Sequence, residues 1–337
     1  MVAMLVELAV VFMLSLALIR VVRANAPRLG LLDVPNERSS HVKHTPRAAG
    51  IGFFLAVVFV FPFFHSDILL TYPWTFVAIF IIFIVGVLDD HHDTSANTKF
   101  IVIILATVFL YFDGIYIHRL GTFFGFPLVL GWFALPFTVF AVVGFTNALN
   151  LIDGLDGLAA TVSIVILGAF LWVGYAYDDS FMMVLSGVFI ATLLAFLVYN
   201  WHPASIFMGD SGSLVLGFVI ALLAVKSLAY LPAVSILFVA AVPILDTVIV
   251  MVRRKIRGRS MFGADRCHIH HILRHFFAED TRKTVLFLGV LQVVYSLTGL
   301  QLHKGADAGV VLVLFIFNTI MLYMFLAAMI KRQQRDC

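Results

Sequence analysis

Carboxylates gather at a few points of this 337-residue chain. Asp89, Asp90 and Asp93 stand in DDHHDTSANTK (89–99), Asp153 and Asp156 in NALNLIDGLDG (147–157), and Asp210 in NWHPASIFMGDSGS (200–213). Brought together at one desolvated face they would repel one another strongly without a counter-charge. A divalent cation beside a polyanionic ligand resolves that conflict, because Mg²⁺ is held by one or two carboxylates next to substrate phosphates. Cations share these stretches. Lys99 lies ten residues after Asp89, Arg47 stands in LDVPNERSSHVKHTPRAAG (32–50), and Arg253, Arg254 and Arg266 belong to RRKIRGRSMFGADRCHIHH (253–271). Carboxylates, a metal and Lys/Arg together suit phosphoryl transfer, where catalysis is mostly positioning and charge stabilisation.

His268, His270 and His271 form HIHH beside Cys267. Zinc takes His and Cys ligands, but one tight cluster lacks a second ligand pair elsewhere, so phosphate contact or proton handling by imidazole is the preferred reading. Phe207 is a candidate surface for stacking a base, although an aromatic at a membrane interface commonly serves as an anchor. Asp246 falls inside an apolar run, and an acid at that depth is a functional candidate by default; here it is expected to cap or hydrogen-bond a loop. Arg23, Arg28, Arg257, Lys331 and Arg332 need no more than a charge bias of the loops to explain them.

The elements that must position these residues are membrane helices. The chain is 62% hydrophobic and 12% charged, with 34 Phe and two Cys, and its mean hydropathy is +1.05. A soluble domain carries about twice that share of charge, disorder needs the opposite composition, and two cysteines exclude a disulfide-stapled fold. Windows of about 20 apolar residues fall near 2–22, 48–65, 73–88, 100–112, 127–146, 158–175, 181–199, 212–228, 233–252, 284–300 and 309–330. The expectation is an all-α polytopic membrane protein of about eleven transmembrane helices, or ten by a stricter count, forming one domain over 1–337. The segment 113–126 reads as a small hairpin or an interfacial segment. Nineteen of the 22 Lys and Arg residues fall on one side of this topology, with Arg119, Lys226 and Lys304 on the other. That places the basic side in the cytoplasm, the N-terminus outside and the C-terminus inside. All five polar motifs then lie on the cytoplasmic side, which argues against a transporter, whose polar groups should line the spans at several depths.

Four motifs in order carry a family signature: D-D-x-x-D at 89–93, N-x-x-N-x-x-D-G-x-D-G at 147–157, F-M-G-D-S-G-S at 207–213 and A-D-R-x-H-I-H-H at 264–271. Together with the spans they resemble the polyprenyl-phosphate N-acetylhexosamine-1-phosphate transferases. The D-x-P-N-x-R-S-x-H segment at 33–41 and the HIHH form are similar to the bacterial undecaprenyl-phosphate GlcNAc-1-phosphate transferase branch. The chain departs from that pattern at Ala49, where a glycine is usual in P-R-x-G-G, and at Met261, where S-P-F is common.

The resemblance implies a role for each matched position. Asn150 and Asp210 match the Mg²⁺-contacting positions (Mn²⁺ being the alternative ion), Asp156 the uracil contact and Phe207 the ring that stacks on uracil. Lys99 matches a phosphate-binding lysine, and Asp89 and Asp90 the catalytic pair. His268, His270, His271 and Arg266 match the loop that closes over pyrophosphate and sugar, while Arg47, Asn147 and Asp153 are expected to bind substrate. The implied reaction passes GlcNAc-1-phosphate from a UDP-N-acetylhexosamine, UDP-GlcNAc, to undecaprenyl phosphate in the bilayer and releases UMP. It would be the first membrane step of a cell-surface polysaccharide pathway such as O-antigen or lipopolysaccharide synthesis, at the cytoplasmic face of the bacterial inner membrane. No nucleic-acid partner is expected, and the resemblance allows a homodimer. Direct attack by the lipid phosphate is preferred over an acyl-phosphate on Asp89 or Asp90, since a phosphate monoester is already mostly dianionic at neutral pH. The same chemistry with GalNAc or a 6-deoxy sugar, and a transporter of lipid-linked or nucleotide sugars, are the alternatives.

Overall fold

The computed structural model describes residues 2–33, 45–92, 94–261, 265, 267–302 and 307–332. Asp93, Arg266, Phe262 and most of the 33–41 motif lie outside the described residues. The helices are α1 (Val2–Asn25), α2 (Ala49–Phe64), α3 (Ser66–Thr71), α4 (Pro73–His92), α5 (Ala96–Phe112), α6 (Ala134–Ile152), α7 (Leu158–Ala176), α8 (Ser180–Asn200), α9 (Asp210–Ser227), α10 (Ala233–Val239), α11 (Ala241–Ile256), α12 (Ile269–Phe276), α13 (Thr281–Gln301) and α14 (Ala308–Arg332). Two short antiparallel pairs complete the chain: β1 (Leu32–Asp33) with β2 (Thr45–Pro46), and β3 (Arg119–Phe123) with β4 (Phe126–Val129).

Among the described residues, eight helices are long and apolar enough to cross a bilayer: α1, α4, α6 with the turn before it, α7, α8, α9, α13 and α14. The protein is a mostly helical, polytopic membrane protein. Every apolar window of the sequence carries helix, but four windows behave differently from the rest. Helices α2 and α5 have 16 and 17 residues, below the length of a full perpendicular crossing.

The window 233–252 is broken, with α10 and α11 meeting at 91°. Pro243 explains the break. It has no N–H to give to the carbonyl four residues back, at Val239, and its ring would clash there. That carbonyl accepts instead from Gln292 Nε2 at 2.8 Å and Ser296 Oγ at 3.0 Å, and Gln292 Oε1 takes the Val242 N–H at 2.9 Å. A helix breaks inside a membrane protein only where neighbours re-satisfy the freed backbone groups. The window 127–146 starts late, because β4 uses 126–129. Gly125 (φ +86°) and Gly131 (φ +53°) hold backbone angles that no α-helix accepts, so the helix begins at Ala134 and residues 119–129 form the hairpin.

Helix α9 is the buried axis, packed by α2, α4, α6 and α7. Small residues let it be approached closely. A Cβ on Gly50 of α2 would collide with the Gly212 backbone, one on Gly86 of α4 would lie 2.5 Å from the Asp210 carbonyl oxygen, and one on Gly217 would lie 2.9 Å from Thr146 of α6. The ends of α2, α4 and α9 therefore meet backbone to backbone at Asp210–Gly212. At the opposite end polar groups pair among themselves, including Glu7 with His65 at 2.8 Å and Asp179 with Tyr230 at 2.9 Å.

Candidate active site

Asp210 opens α9, and its position is set by Asp90. One oxygen of Asp90 accepts the Asp210 N–H at 2.7 Å and the other accepts the Ser211 N–H at 3.0 Å. The last turn of α4 thus caps the first turn of α9 with a charge-assisted bidentate contact. Gly209 makes this possible. It sits at φ +73°, ψ 172°, a conformation essentially confined to glycine, and a Cβ there would lie 2.6 Å from both Asp90 oxygens. Asp90 was read from the sequence as half of a catalytic pair; both of its oxygens are committed to backbone.

Asp89, one residue earlier, faces another way. Its Oδ1 accepts from Thr94 Oγ1 at 2.6 Å and its Oδ2 lies 2.8 Å from Lys99 Nζ. Lys99, in the first turn of α5, also lies 2.5 Å from Asp210 Oδ2. The ammonium therefore bridges two carboxylates that would otherwise repel. Asn150, from the last turn of α6, donates to Asp210 Oδ1 at 3.0 Å and Ser213 Oγ at 2.8 Å.

The loop between α6 and α7 adds two acids. Burial, with the charges of Asp210, Asp156 and Asp90 around it, pushes the Asp153 carboxyl well above its usual range. Asp156 Oδ2 accepts from the Ala204 N–H at 3.0 Å and lies 2.7 Å from His202 Nδ1. Asn200 ties the same two loops, accepting the Gly157 N–H at 2.8 Å and donating to the Ile206 carbonyl at 3.0 Å. Arg23 donates to Ser205 Oγ at 2.9 Å, so a residue that a loop charge bias alone explained also pins the 200–207 segment. Phe207 and Met208 are strapped to the start of α2 by the Phe207 N–H to Pro46 carbonyl bond (2.8 Å) and by the Ala49 and Gly50 N–H groups (3.0 and 2.9 Å). This strap brings Arg47 to the same rim.

The histidine segment is braced from beneath. Asp246 of α11 lies 2.5 Å from His268 Nδ1 through one oxygen and takes the Ile269 N–H at 2.5 Å through the other, so it caps α12, the role expected of it although its depth in an apolar run marks a functional candidate. Burial alone would depress His268, but the bond to Asp246 and its charge outweigh that and hold the imidazole above its ordinary value. His270 is buried and its pKa is pushed down to about 3, first by burial and then by its histidine neighbours; it is neutral, with Nε2 packed on Gly154, where a Cβ would come within 2.7 Å. Asp265 accepts from Arg253 at 2.7 Å, Arg254 at 3.2 Å and the Cys267 N–H at 2.8 Å. These bonds hold its carboxyl low although burial works the other way.

A cavity of about 340 Å³ collects these groups. Arg47, Asp89, Asp90, Asn150, Asp153, Asp156, Phe207, Asp210 and His271 line it. Lys99 reaches it through Asp89 and Asp210. Asn147, His268 and His270 do not line it: Asn147 is one turn back on α6, and the two histidines support the segment bearing His271. Asp33, Asn200 and Ser213 line it without having been foreseen; Asn200 and Ser213 stood inside a motif already singled out, and their type and place were the available signal.

Among the described residues no group of three or more His, Cys, Asp or Glu side chains is arranged around one metal position. The donors present suit a hard ion carried by few protein ligands. Asp89 and Asp210 offer carboxylate oxygens around one point, where a cation, the Lys99 ammonium, already bridges them, while Asn150 turns its amide N–H toward Asp210. Mg²⁺ fits such a set, since it keeps several waters and takes one or two carboxylates plus substrate phosphates.

Residues 72–228 match the family described as glycosyl transferase family 4. Over 96% of its length the chain is 34% identical to a probable undecaprenyl-phosphate N-acetylglucosaminyl 1-phosphate transferase of Bacillus subtilis, covering 92% of that protein. It is 34% identical to the undecaprenyl-phosphate alpha-N-acetylglucosaminyl 1-phosphate transferase of Yersinia pestis over 79% of its length and 76% of the relative. Against the protein of that name from Escherichia coli K12 the figures are 29%, 79% and 75%. Family-4 motifs, whole-chain similarity and one acid-lined cavity at a common end of the helices agree: the chain belongs to the glycosyl transferase family 4 enzymes, with the undecaprenyl-phosphate N-acetylglucosaminyl 1-phosphate transferases.

Proposed function

We propose that the protein transfers GlcNAc-1-phosphate from UDP-GlcNAc to undecaprenyl phosphate and releases UMP, with Mg²⁺ as cofactor. The observation that carries this reading is the Asp89–Lys99–Asp210 bridge with Asn150 beside it, in an acid-lined cavity at the ends of apolar helices. A lipid phosphate is confined to that level of the bilayer, while a nucleotide sugar arrives from water.

Asp210, joined by Asn150 once its amide turns the oxygen inward, would hold the metal, and the bound ion would neutralise the pyrophosphate. Lys99 stands where it can pass from its carboxylates to a phosphate oxygen. Asp156 and Phe207 are placed on the cavity wall for the nucleobase, and Arg47 and His271 for the anionic phosphates and the sugar. Asp90 fixes the turn that carries Asp210 and takes no part in bond making. Asp89 is then the acid available to orient the lipid phosphate for in-line attack on the β-phosphorus.

In this reading the end of the helices that bears the cavity faces the cytoplasm, which the excess of Lys and Arg in its loops supports. Eleven crossings are reached when α2, α5 and the bent α10–α11 pair each count as one. Purified protein in detergent, given undecaprenyl phosphate and Mg²⁺, tests the reading with UDP-GlcNAc, UDP-GalNAc and UDP-MurNAc-pentapeptide in parallel. Lipid-dependent UMP release from UDP-GlcNAc, lost in Asp210→Asn, is the expected result. Release from another donor alone would change the sugar, and release from none would overturn the assignment.

A further inference from the structure

Asp156 is reached by two donors at the same oxygen. The Ala204 N–H and His202 Nδ1 both meet Oδ2, at 3.0 and 2.7 Å, and Oδ1 has no partner among the described residues. Because a carboxylate only accepts, Nδ1 of His202 must carry the hydrogen whatever the charge on the ring. His202 is itself held, since its carbonyl accepts from Arg282 Nε of α13 at 2.9 Å. Its neighbour Ser205 is gripped by Arg23 of α1 and by the Tyr199 carbonyl. The side chain is 43% exposed, so packing gives little reason for a histidine here.

We propose that His202 is a positioning residue for nucleobase recognition: with the Ala204 N–H it clamps one oxygen of Asp156 and leaves the other to the cavity as the acceptor for the imide N–H of a uracil ring. This rests on the reading of Asp156 as the nucleobase contact in the proposed function. The chemistry selects between pyrimidines. Uracil presents a donor at N3, whereas cytosine presents a lone pair there, which a fixed carboxylate oxygen repels. A carboxylate free to rotate would discriminate less well, because it could turn away from the wrong base. Phe207 on the same wall supplies a face that tolerates either ring, so the discrimination falls to Asp156 and its clamp.

The test compares His202→Phe, which keeps a ring and removes the donor, and His202→Gln, which moves the donor away from the Nδ1 position, with His202→Asn, whose amide reaches the Nδ1 position. For each, kcat, KM for UDP-GlcNAc, KM for undecaprenyl phosphate, and inhibition by UMP and by CMP are measured. In His202→Phe and His202→Gln the donor KM should rise about tenfold, the order of one hydrogen bond weakened by solvent exposure. The preference for UMP over CMP should shrink, with kcat and lipid KM nearly unchanged, and His202→Asn should restore donor KM to within about threefold of the parent. An unchanged donor KM and UMP/CMP ratio in both donor-removing variants would overturn the proposal. So would a parallel loss of kcat, lipid affinity and binding of both nucleotides. Asp156→Asn separates the two levels of inference. If it leaves the ratio intact, the nucleobase reading of Asp156 fails; if it abolishes the ratio while the His202 variants do not, only the positioning role fails.

Discussion

Replacing Asp90 by Asn separates a reacting acid from one that holds a turn. The two oxygens of Asp90 take the Asp210 and Ser211 N–H groups at 2.7 and 3.0 Å, and the residue is only 2% exposed. Asn keeps one acceptor and turns an NH₂ toward the second N–H, so one charge-assisted bond is lost and a buried donor is left unpaired. Such a bond is worth about 2 kcal/mol, which shifts the equilibrium of the correctly formed turn about 30-fold. Asp90→Asn should therefore lower kcat by no more than about 30-fold and lower the thermal midpoint in detergent together with it. Asp89→Asn, which leaves the turn intact, should lower kcat more and the midpoint less. The assay is UMP release under saturating donor and lipid, alongside a thermal unfolding scan of each variant. An Asp90→Asn protein with a parental midpoint and a loss beyond about 10³-fold, the range of a missing acid–base or nucleophilic group, would refute this division of labour.

Three further outcomes follow from the geometry. Gly209→Ala should cost about 2 kcal/mol or more, because it adds a Cβ at a backbone conformation reserved for glycine and pushes it onto Asp90, read as a lowered midpoint with activity down more than tenfold. Asp246→Asn should lower stability by about 3 kcal/mol at pH 6, the order for breaking one side of a buried pair. Since the folded state holds His268 above its usual value, the pair's contribution is complete below about pH 6.5 and fades as pH rises through the raised value; the parent's midpoint should fall over that window and the variant's should not, by thermal scans across pH. Lys99→Met should lower the midpoint without Mg²⁺ yet enlarge the rise that Mg²⁺ produces, because it exposes the Asp89–Asp210 repulsion to relief by the ion, measured by scans with and without chelator.

The site was legible in the sequence because polar residues stand out in a chain this apolar. Asp89, Asn150, Asp156, Phe207 and Asp210 lie far apart in the chain and line one cavity, and the motifs named them all. Their division of labour was hidden. That both oxygens of Asp90 take backbone N–H groups depends on which way two adjacent carboxylates point at the end of α4, and spacing does not encode that. His202 reads as an ordinary loop histidine until Asp156, 46 residues earlier, is seen beside it. The spans were legible as composition but not as geometry: a hydropathy window averages Pro243 away, although that residue breaks the helix, and Gln292, which makes the break affordable, sits in another window. The hairpin was legible over 113–126 as one of two readings, and only its end at 127–129 was lost to an apolar window, because Phe, Leu and Val serve a strand and a membrane helix equally well.

The meeting of α2, α4 and α9 through Gly50, Gly86 and Gly212 has a mechanical consequence. Where Gly50 and Gly86 meet α9, backbone rests on backbone, and the Asp90 side chain beside them is pinned at both oxygens, so there is little at that vertex to compress or re-rotamerise. A change in bilayer thickness is met by tilting of helices, and these three can tilt only as spokes about a fixed hub. Their far ends swing while Asp89, Asp90 and Asp210 keep their spacing, so the hub insulates the chemistry from the elastic state of the membrane in which its lipid substrate is dissolved.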